Sequence, residues 1–225
     1  MGLLGAGVLA IWNDIAPGGD DAFIHWHTRE HIPERVAVPG FLRGRRYVAV
    51  SGGPAYFTLY ETESVDTLSG PAYVARLNDP TPWTRRSLPL FRNTKRTACR
   101  VSHTHGVGAG GALATLDFGP ATGRDGELQA WLGGSTLPAI AERPGVVGAH
   151  LCLADVDATQ VKTEEKKLRD SADQLARWVL LVEAADPAIL ESIARDLVSA
   201  EALARHGAGA DSALGIYRLQ YLLAR

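Results

Sequence analysis

Cysteine and methionine are scarce in this 225-residue chain, with two of the first and one of the second, and no apolar run is long enough for a membrane helix. Each absence excludes something. Cys99 and Cys152 each sit in an apolar, strand-like stretch, the setting of buried free thiols rather than of a disulfide framework, so a reducing compartment is expected. The apolar stretch 1–12 lacks a basic flank and a small-residue cleavage site, is too short to span a bilayer, and has Ala6 where a myristoylation signal needs Ser or Thr. The expectation is a cytoplasmic protein with no membrane partner. A net charge of -2 offers no field for nucleic acid or an anionic lipid surface. No Ser, Cys or Thr stands in a recognisable nucleophile setting, and there is no dinucleotide fingerprint. The glycine-rich run 106–111 precedes a strand rather than a helix, so it lacks phosphate-loop geometry and reads as a flexible linker. No cofactor is expected from these residues.

What is present is an echo. Trp26, Pro33, Pro39 and Gly40 recur as Trp131, Pro138, Pro144 and Gly145, all at an offset of 105. Trp and Pro are uncommon enough for four matches at one offset to indicate a repeated unit. The copies differ in chemistry. His27, His31 and Arg35 of the first copy face Leu132, Thr136 and Ile140 of the second. Burying titratable or cationic groups costs free energy unless they find partners, so the first copy is read as the one bearing a site.

The hydrophobic pattern supports the repeat. Strands are expected at 8–12, 44–50, 56–61 and 94–103, with a helix from Asp20 or Asp21 to about Val36, kinked near Pro33, and a second helix at 65–77 weakened by Gly70-Pro71. Residues 79–92, with three prolines, read as irregular. The second half repeats the order: strands at 112–118, 148–154, 178–183 and 213–223, helices at 127–141 and 188–205, and a charged insertion at 155–176 without a counterpart. The expected class is α+β: tandem duplicated ferredoxin-like units, β-α-β-β-α-β twice, each with helices on one sheet face, closing on each other as an α+β barrel within one chain. Units at 1–105 and 112–225 are expected, the first site-bearing and the second structural.

Trp26-His27, His31-Ile32-Pro33, Pro39-Gly40-Phe41, Arg45-Arg46-Tyr47, Leu59-Tyr60-Glu61 and the stretch 80–86 (Pro-Thr-Pro-Trp-Thr-Arg-Arg) resemble the dimeric α+β barrel superfamily, and within it EthD-like proteins. The resemblance covers the first hundred or so residues by motif and the second half by element order. It implies a pocket between sheet and helices in one unit. It also implies a range of activities: cofactor-free cyclases, isomerases, monooxygenases on aromatic polyketides, haem enzymes and proteins of no known activity. The fold does not choose among them.

Candidate chemistry follows from residue type. His27 and His31, four apart, share a helix face; either can act as general acid or base, or they cap the turn near Pro33 or face solvent. His25 reads as surface. The pair, with Glu30 or Glu34, can also ligate a metal, and His103 and His105 alternate at a strand end, but no third ligand is evident, so no metal is assigned. For haem, the resemblance places the ligand in the second unit, whose matching helix has no histidine. Arg45 and Arg46 alternate on one strand and point to opposite faces, so a buried one needs an anion: Glu61, Glu30 or a substrate. Tyr60 can donate to an oxyanion or satisfy the core. Trp12 and Asn13, ending the first strand, and Trp83, in the proline-rich segment, are candidates for binding substrate; a turn-forming Asn and a loop-anchoring Trp are the alternatives. The expected function is a small-molecule enzyme for an apolar, oxygenated or aromatic compound, with His31 and His27 moving a proton and Arg46 and Tyr60 stabilising charge. A non-catalytic small-ligand binder and a metal- or haem-dependent oxygenase are the alternatives. A homodimer is neither required nor excluded.

Overall fold

The computed structural model describes residues 2–169 and 174–225. Its strands are β1 (Gly7–Ile15), β2 (Phe41–Gly52), β3 (Tyr56–Thr62), β4 (Phe91–Gly106), β5 (Ala112–Phe118), β6 (Val146–Ala154), β7 (Trp178–Ala184) and β8 (Ala213–Ala224). They close into one antiparallel barrel in the order β1-β3-β2-β8-β5-β7-β6-β4. Each half contributes four strands in the same order, β4-β1-β3-β2 and β8-β5-β7-β6, and the seams are β2 on β8 and β4 on β6.

Registers correspond as well as orders. Gly7 pairs with Thr62, and Ala112 with Ala184. A bulge between Phe41 and Arg43 on β2 has its match between Val146 and Gly148 on β6. Bulges sharpen local twist, which helps an eight-stranded sheet close.

The helix expected from Asp20 to Val36 is three segments: α1 (Asp20–Trp26), a π-helical turn over His27–His31, and α2 (Ile32–Ala37). The second half repeats this with α5 (Asp125–Trp131), a π turn over Leu132–Thr136, and α6 (Leu137–Ala141). Proline explains the widening. Pro33 and Pro138 have no N–H to give, and in an α-helix their rings would press on the carbonyl four residues back. A π turn just before the proline opens that space and closes an i+5 bond instead, from Ile32 N–H to His27 and from Leu137 N–H to Leu132. Sequence periodicity anticipates a kink here; the structure has a bulge.

Three further expectations are corrected. The helix at 65–77 is a 3₁₀ turn (Val65–Leu68) followed by α3 (Pro71–Asn78), because Gly70 is extended and Pro71 starts a new helix. The irregular segment 79–92 contains α4 (Pro82–Ser87), capped by the Thr81 hydroxyl accepting from Thr84 N–H. The helix at 188–205 is two, α9 (Pro187–Asp196) and α10 (Ala200–Arg205), the latter capped by Ser199. The insertion carries α7 (Val156–Gln160) and α8 (Glu164–Lys167); its residues 170–173 lie outside the described residues.

Alternation sorts side chains between the barrel interior and the helix-covered outside. Val8, Ala10, Trp12, Phe57, Leu59, Val179, Leu181 and Tyr217 fill the interior. A charge cluster shares it. Arg45 bridges Glu61 at 2.9 Å and Glu183 at 2.7 Å, and Arg43 holds Glu61 at 2.8 Å. Gly110, in the expected linker, donates its N–H to Glu183 at 2.9 Å, and a side chain there would meet the Ala184 carbonyl oxygen at 2.4 Å, so this part of the run is pinned to β7. Outside, Leu116, Leu132, Ile140, Leu151, Leu180 and Val182 form an apolar core under the second half's helices, and Leu9, Ile32, Phe41, Tyr60 and Tyr73 pack under the first half's. No helix among the described residues is long and apolar enough to cross a membrane.

Candidate functional site

The π turn sets the geometry of the first half's helix face. It stacks the His27 and His31 rings, centroids 5.4 Å apart at 23°, and lays His31 against Trp26 at 4.3 Å. Both histidines are buried. Their environments diverge from there.

His27 belongs with Arg46. Arg46 points to the helix side of β2, where Nη1 lies 3.3 Å from His27 Nδ1 and Nη2 donates to Thr28 Oγ1 at 3.0 Å, while Nε donates to Gln220 Oε1 at 2.7 Å. Since a guanidinium can only donate, His27 Nδ1 accepts and Nε2 carries the ring proton. Burial, then Arg46 and Arg35, hold the His27 pKa well below its ordinary value. Arg46 meets neutral acceptors and the faces of Phe23 and Tyr221. The carboxylate expected beside a buried arginine is found instead at Arg45, inside the barrel. Glu30 is turned away to α4, where it accepts from Trp26 Nε1, Thr81 and Thr84.

His31 lines a small cavity of about 30 Å³ with Ile11, Arg35, Tyr60, Tyr73, Arg96 and Glu165 among its walls. Three buried polar atoms there have no hydrogen-bond partner: His31 Nδ1, Arg35 Nη1 and the Tyr60 hydroxyl. Such groups are costly to leave unsatisfied, and three from three elements around one void form a polar socket. Burial, Arg35 and His27 keep His31 neutral by lowering its pKa well below 6.5. Burial pushes Tyr60 up, so it stays a phenol and a donor. Burial opposes charge on Arg35, but the Glu165 carboxylate beside it outweighs this and the guanidinium stays ionised. Arg96 donates to the Tyr73 hydroxyl at 3.3 Å.

The other predicted residues lie elsewhere. Trp12 faces the barrel interior, donates Nε1 to Thr115 Oγ1 at 3.0 Å, and lines a separate cavity of about 210 Å³ at the barrel mouth with Tyr217, Lys95 and Asp117. Asn13 is buried and donates to the Asp14 carbonyl at 3.3 Å. Trp83 sits on α4, edge-on to His25 at 5.2 Å. The His31 cavity therefore brings together two predicted residues, His31 and Tyr60, and leaves Trp12, Asn13 and Trp83 outside. Arg35, Arg96, Tyr73 and Glu165 join it without having been proposed for it. Arg35 was flagged by its contrast with Ile140, and strand alternation puts Arg96 on the helix side with Ala98. Nothing in the sequence points to Glu165, which arrives from the insertion.

The second half has a cavity at the matching place, with Leu116 for Ile11, Val182 for Tyr60 and Leu214 for Arg96, and it holds about 10 Å³. His150 faces the barrel interior, where burial lowers its pKa to about 4, and His206 stacks on Trp131 at 4.2 Å. Neither lines that cavity, so a haem would find no histidine ligand there. Among the described residues no group of three His, Cys, Asp or Glu side chains is placed to hold a metal ion.

No family model matches this sequence, and comparison with curated proteins finds no match. Solved structures share the fold. The chain superposes on an anthrone oxidase-like protein with a TM-score of 0.66 at 13% identity, covering 97% of this chain and 92% of that one. A candidate monooxygenase from Fusobacterium nucleatum gives 0.61 at 8%, covering 99% and 96%. A candidate chlorite dismutase gives 0.58 at 13%, covering 96% and 94%. At these identities the likeness is one of fold: this chain has the ferredoxin-like α+β barrel of those proteins.

Proposed function

We propose that the chain is an enzyme acting on a small oxygenated or aromatic molecule through the His31 cavity, and that the unit repeated at an offset of 105 is a duplication in which one copy kept a polar site. His31 takes a proton from carbon or oxygen next to a carbonyl or aromatic ring. The Tyr60 hydroxyl and the Arg35 and Arg96 guanidinium groups stabilise the oxyanion that forms. The supporting observation is the set of three unsatisfied polar atoms on His31, Arg35 and Tyr60 around one void, in a position lined by Leu and Val in the other half.

The electrostatics narrow the substrate. A lowered pKa leaves imidazole unprotonated at neutral pH but makes it a weak base. It can ionise only an acid whose anion is already well delocalised, such as a 1,3-dicarbonyl, an anthrone-like carbon acid or a phenol. His27 stacks on His31 and fixes its orientation, and Arg46 in turn holds His27 through its Nδ1. Cyclisation, isomerisation and dehydration all begin with this proton transfer. A second reading, cofactor-free oxygenation, uses the same anion with dioxygen as co-reactant; its motive is the fold shared with an anthrone oxidase-like protein.

The test is hydrogen–deuterium exchange at the acidic carbon of a panel of cyclic 1,3-diketones and anthrones, followed by NMR in heavy water. The wild type accelerates exchange in at least one compound, and His31→Gln does not. The accelerated rate stays flat between pH 8 and 6 once substrate ionisation is corrected, because His31 does not titrate there. Binding without acceleration across the panel would make the protein a ligand carrier instead.

A further inference from the structure

The His31 cavity has room for a water molecule and for no organic ligand, so a wall must move before anything larger enters. All but one of its walls are barrel strands (β1, β3 and β4) or helical segments packed directly on them (the π turn, α2 and α3). The exception is α8, a helix of four residues in the insertion, capped by Thr163 and tied to α3 by Glu164 N–H donating to Asn78 Oδ1 at 3.0 Å. It delivers Glu165, which is 4% exposed and bonded to Arg35. Arg35 is 1% exposed, and its second terminal nitrogen lies 4.0 Å from Glu34, too far for a hydrogen bond. Among the described residues, the Glu165 carboxylate is the anion that meets the buried Arg35 guanidinium in this cavity.

We propose that Glu165 holds the place of a ligand's carboxylate: Arg35 is the anion subsite of the cavity, and a small aromatic carboxylic acid enters by displacing Glu165 together with α8. The inference rests on reading this cavity as a ligand site. Charge balance argues for it. One carboxylate replacing another never strands the buried guanidinium, whereas a molecule that carries no anion and forms none in the cavity would leave Arg35 unpaired once Glu165 withdraws. Tyr60, Tyr73 and Ile11 supply ring and aliphatic surface for the aromatic portion once α8 withdraws.

The probes are benzoate and its uncharged counterpart benzamide. In the wild-type protein, amide hydrogen exchange read by mass spectrometry is expected to quicken across residues 163–168 with benzoate and to slow across 27–35; benzamide does neither. Glu165→Gln, which removes the competing charge, is expected to bind benzoate about tenfold more tightly by calorimetry, and adding Arg35→Gln abolishes that gain. Unchanged or slowed exchange at 163–168 with saturating benzoate overturns the proposal, and this wild-type measurement decides even if Glu165→Gln fails to fold. The readout is binding alone. If benzoate opens 163–168 while no carbon acid exchanges, the subsite stands and the catalytic reading falls; carbon-acid exchange without any benzoate effect does the reverse.

Discussion

The two π turns have nearly the same backbone and opposite contents. Over His27–His31 the widened turn presents two histidines to a face shared with Arg35, Arg46 and Tyr60; over Leu132–Thr136 it presents leucine and threonine to a face shared with Ile140, Leu151 and Val182. The comparison separates what the bulge is for from what the site is for. A π turn before proline is a backbone remedy that both halves need. The polar side chains are found in one half, where partners allow them: Arg46 for His27, Glu165 for Arg35.

The hardest way to break the comparison is to move its most costly residue across. Ile140→Arg would bury a guanidinium in an apolar core with no acid to meet it, and a loss of about 4 kcal/mol or more is expected in urea unfolding. The reverse exchange is milder and more informative. Arg35→Ile strands Glu165 and should cost about 3–5 kcal/mol, while the double change Arg35→Ile with Glu165→Leu should recover most of it, since a buried ion pair replaced by apolar groups is often close to neutral. If the double variant is no more stable than the single one, the pair does more than compensate itself.

Acid sharpens the contrast next. His27, His31 and His150 have folded-state pKa values below the unfolded value, so the unfolded chain takes up protons first and stability falls as pH drops below about 6.5. The His150 share extends to about pH 4 and is on the order of 3 kcal/mol. His27→Leu with His31→Thr, the second half's own residues, should lessen the fall of the melting temperature below pH 6.5 without abolishing it, leaving the His150 component in place. The smallest stability effect is expected for His31→Gln, under about 1 kcal/mol, because a side chain of similar size and polarity fills the place. Its consequence should be confined to proton transfer; a large stability loss would make His31 a core residue.

How far the sequence could be read follows the same division. Strand alternation and the 105-residue echo are enough for an α+β barrel closed within one chain, because these depend on local periodicity; they leave open whether His31 turns to the sheet or to solvent, which the π turn decides. The π turns were invisible to it: an i+5 bond leaves no composition signal apart from the proline that a kink would also explain. Arg45 and Arg46 were correctly set on opposite faces, yet which one met carboxylates depended on Glu183, 138 residues away from Arg45. Trp12 ends the first strand and so reads as a candidate for binding substrate, but alternation turns it into the barrel interior, on the other side of the sheet from His31. Glu165 was beyond reach, since a contact made by an insertion belongs to neither the repeat nor the periodicity.

The insertion has one more consequence. β4 pairs with β6 only from Cys99 onward, so the outer edge of residues 91–98 has no neighbouring strand of the barrel. The insertion occupies it at both of its own ends: Asp155 N–H bonds to the Ala98 carbonyl at 2.8 Å, and Gln174 exchanges backbone bonds of 3.0 Å with Thr94 and Arg96. Excising the insertion to open the cavity would therefore bare a strand edge. Such a truncated chain should pass from monodisperse to concentration-dependent self-association in light scattering, a solubility defect with its origin in backbone pairing rather than in the site.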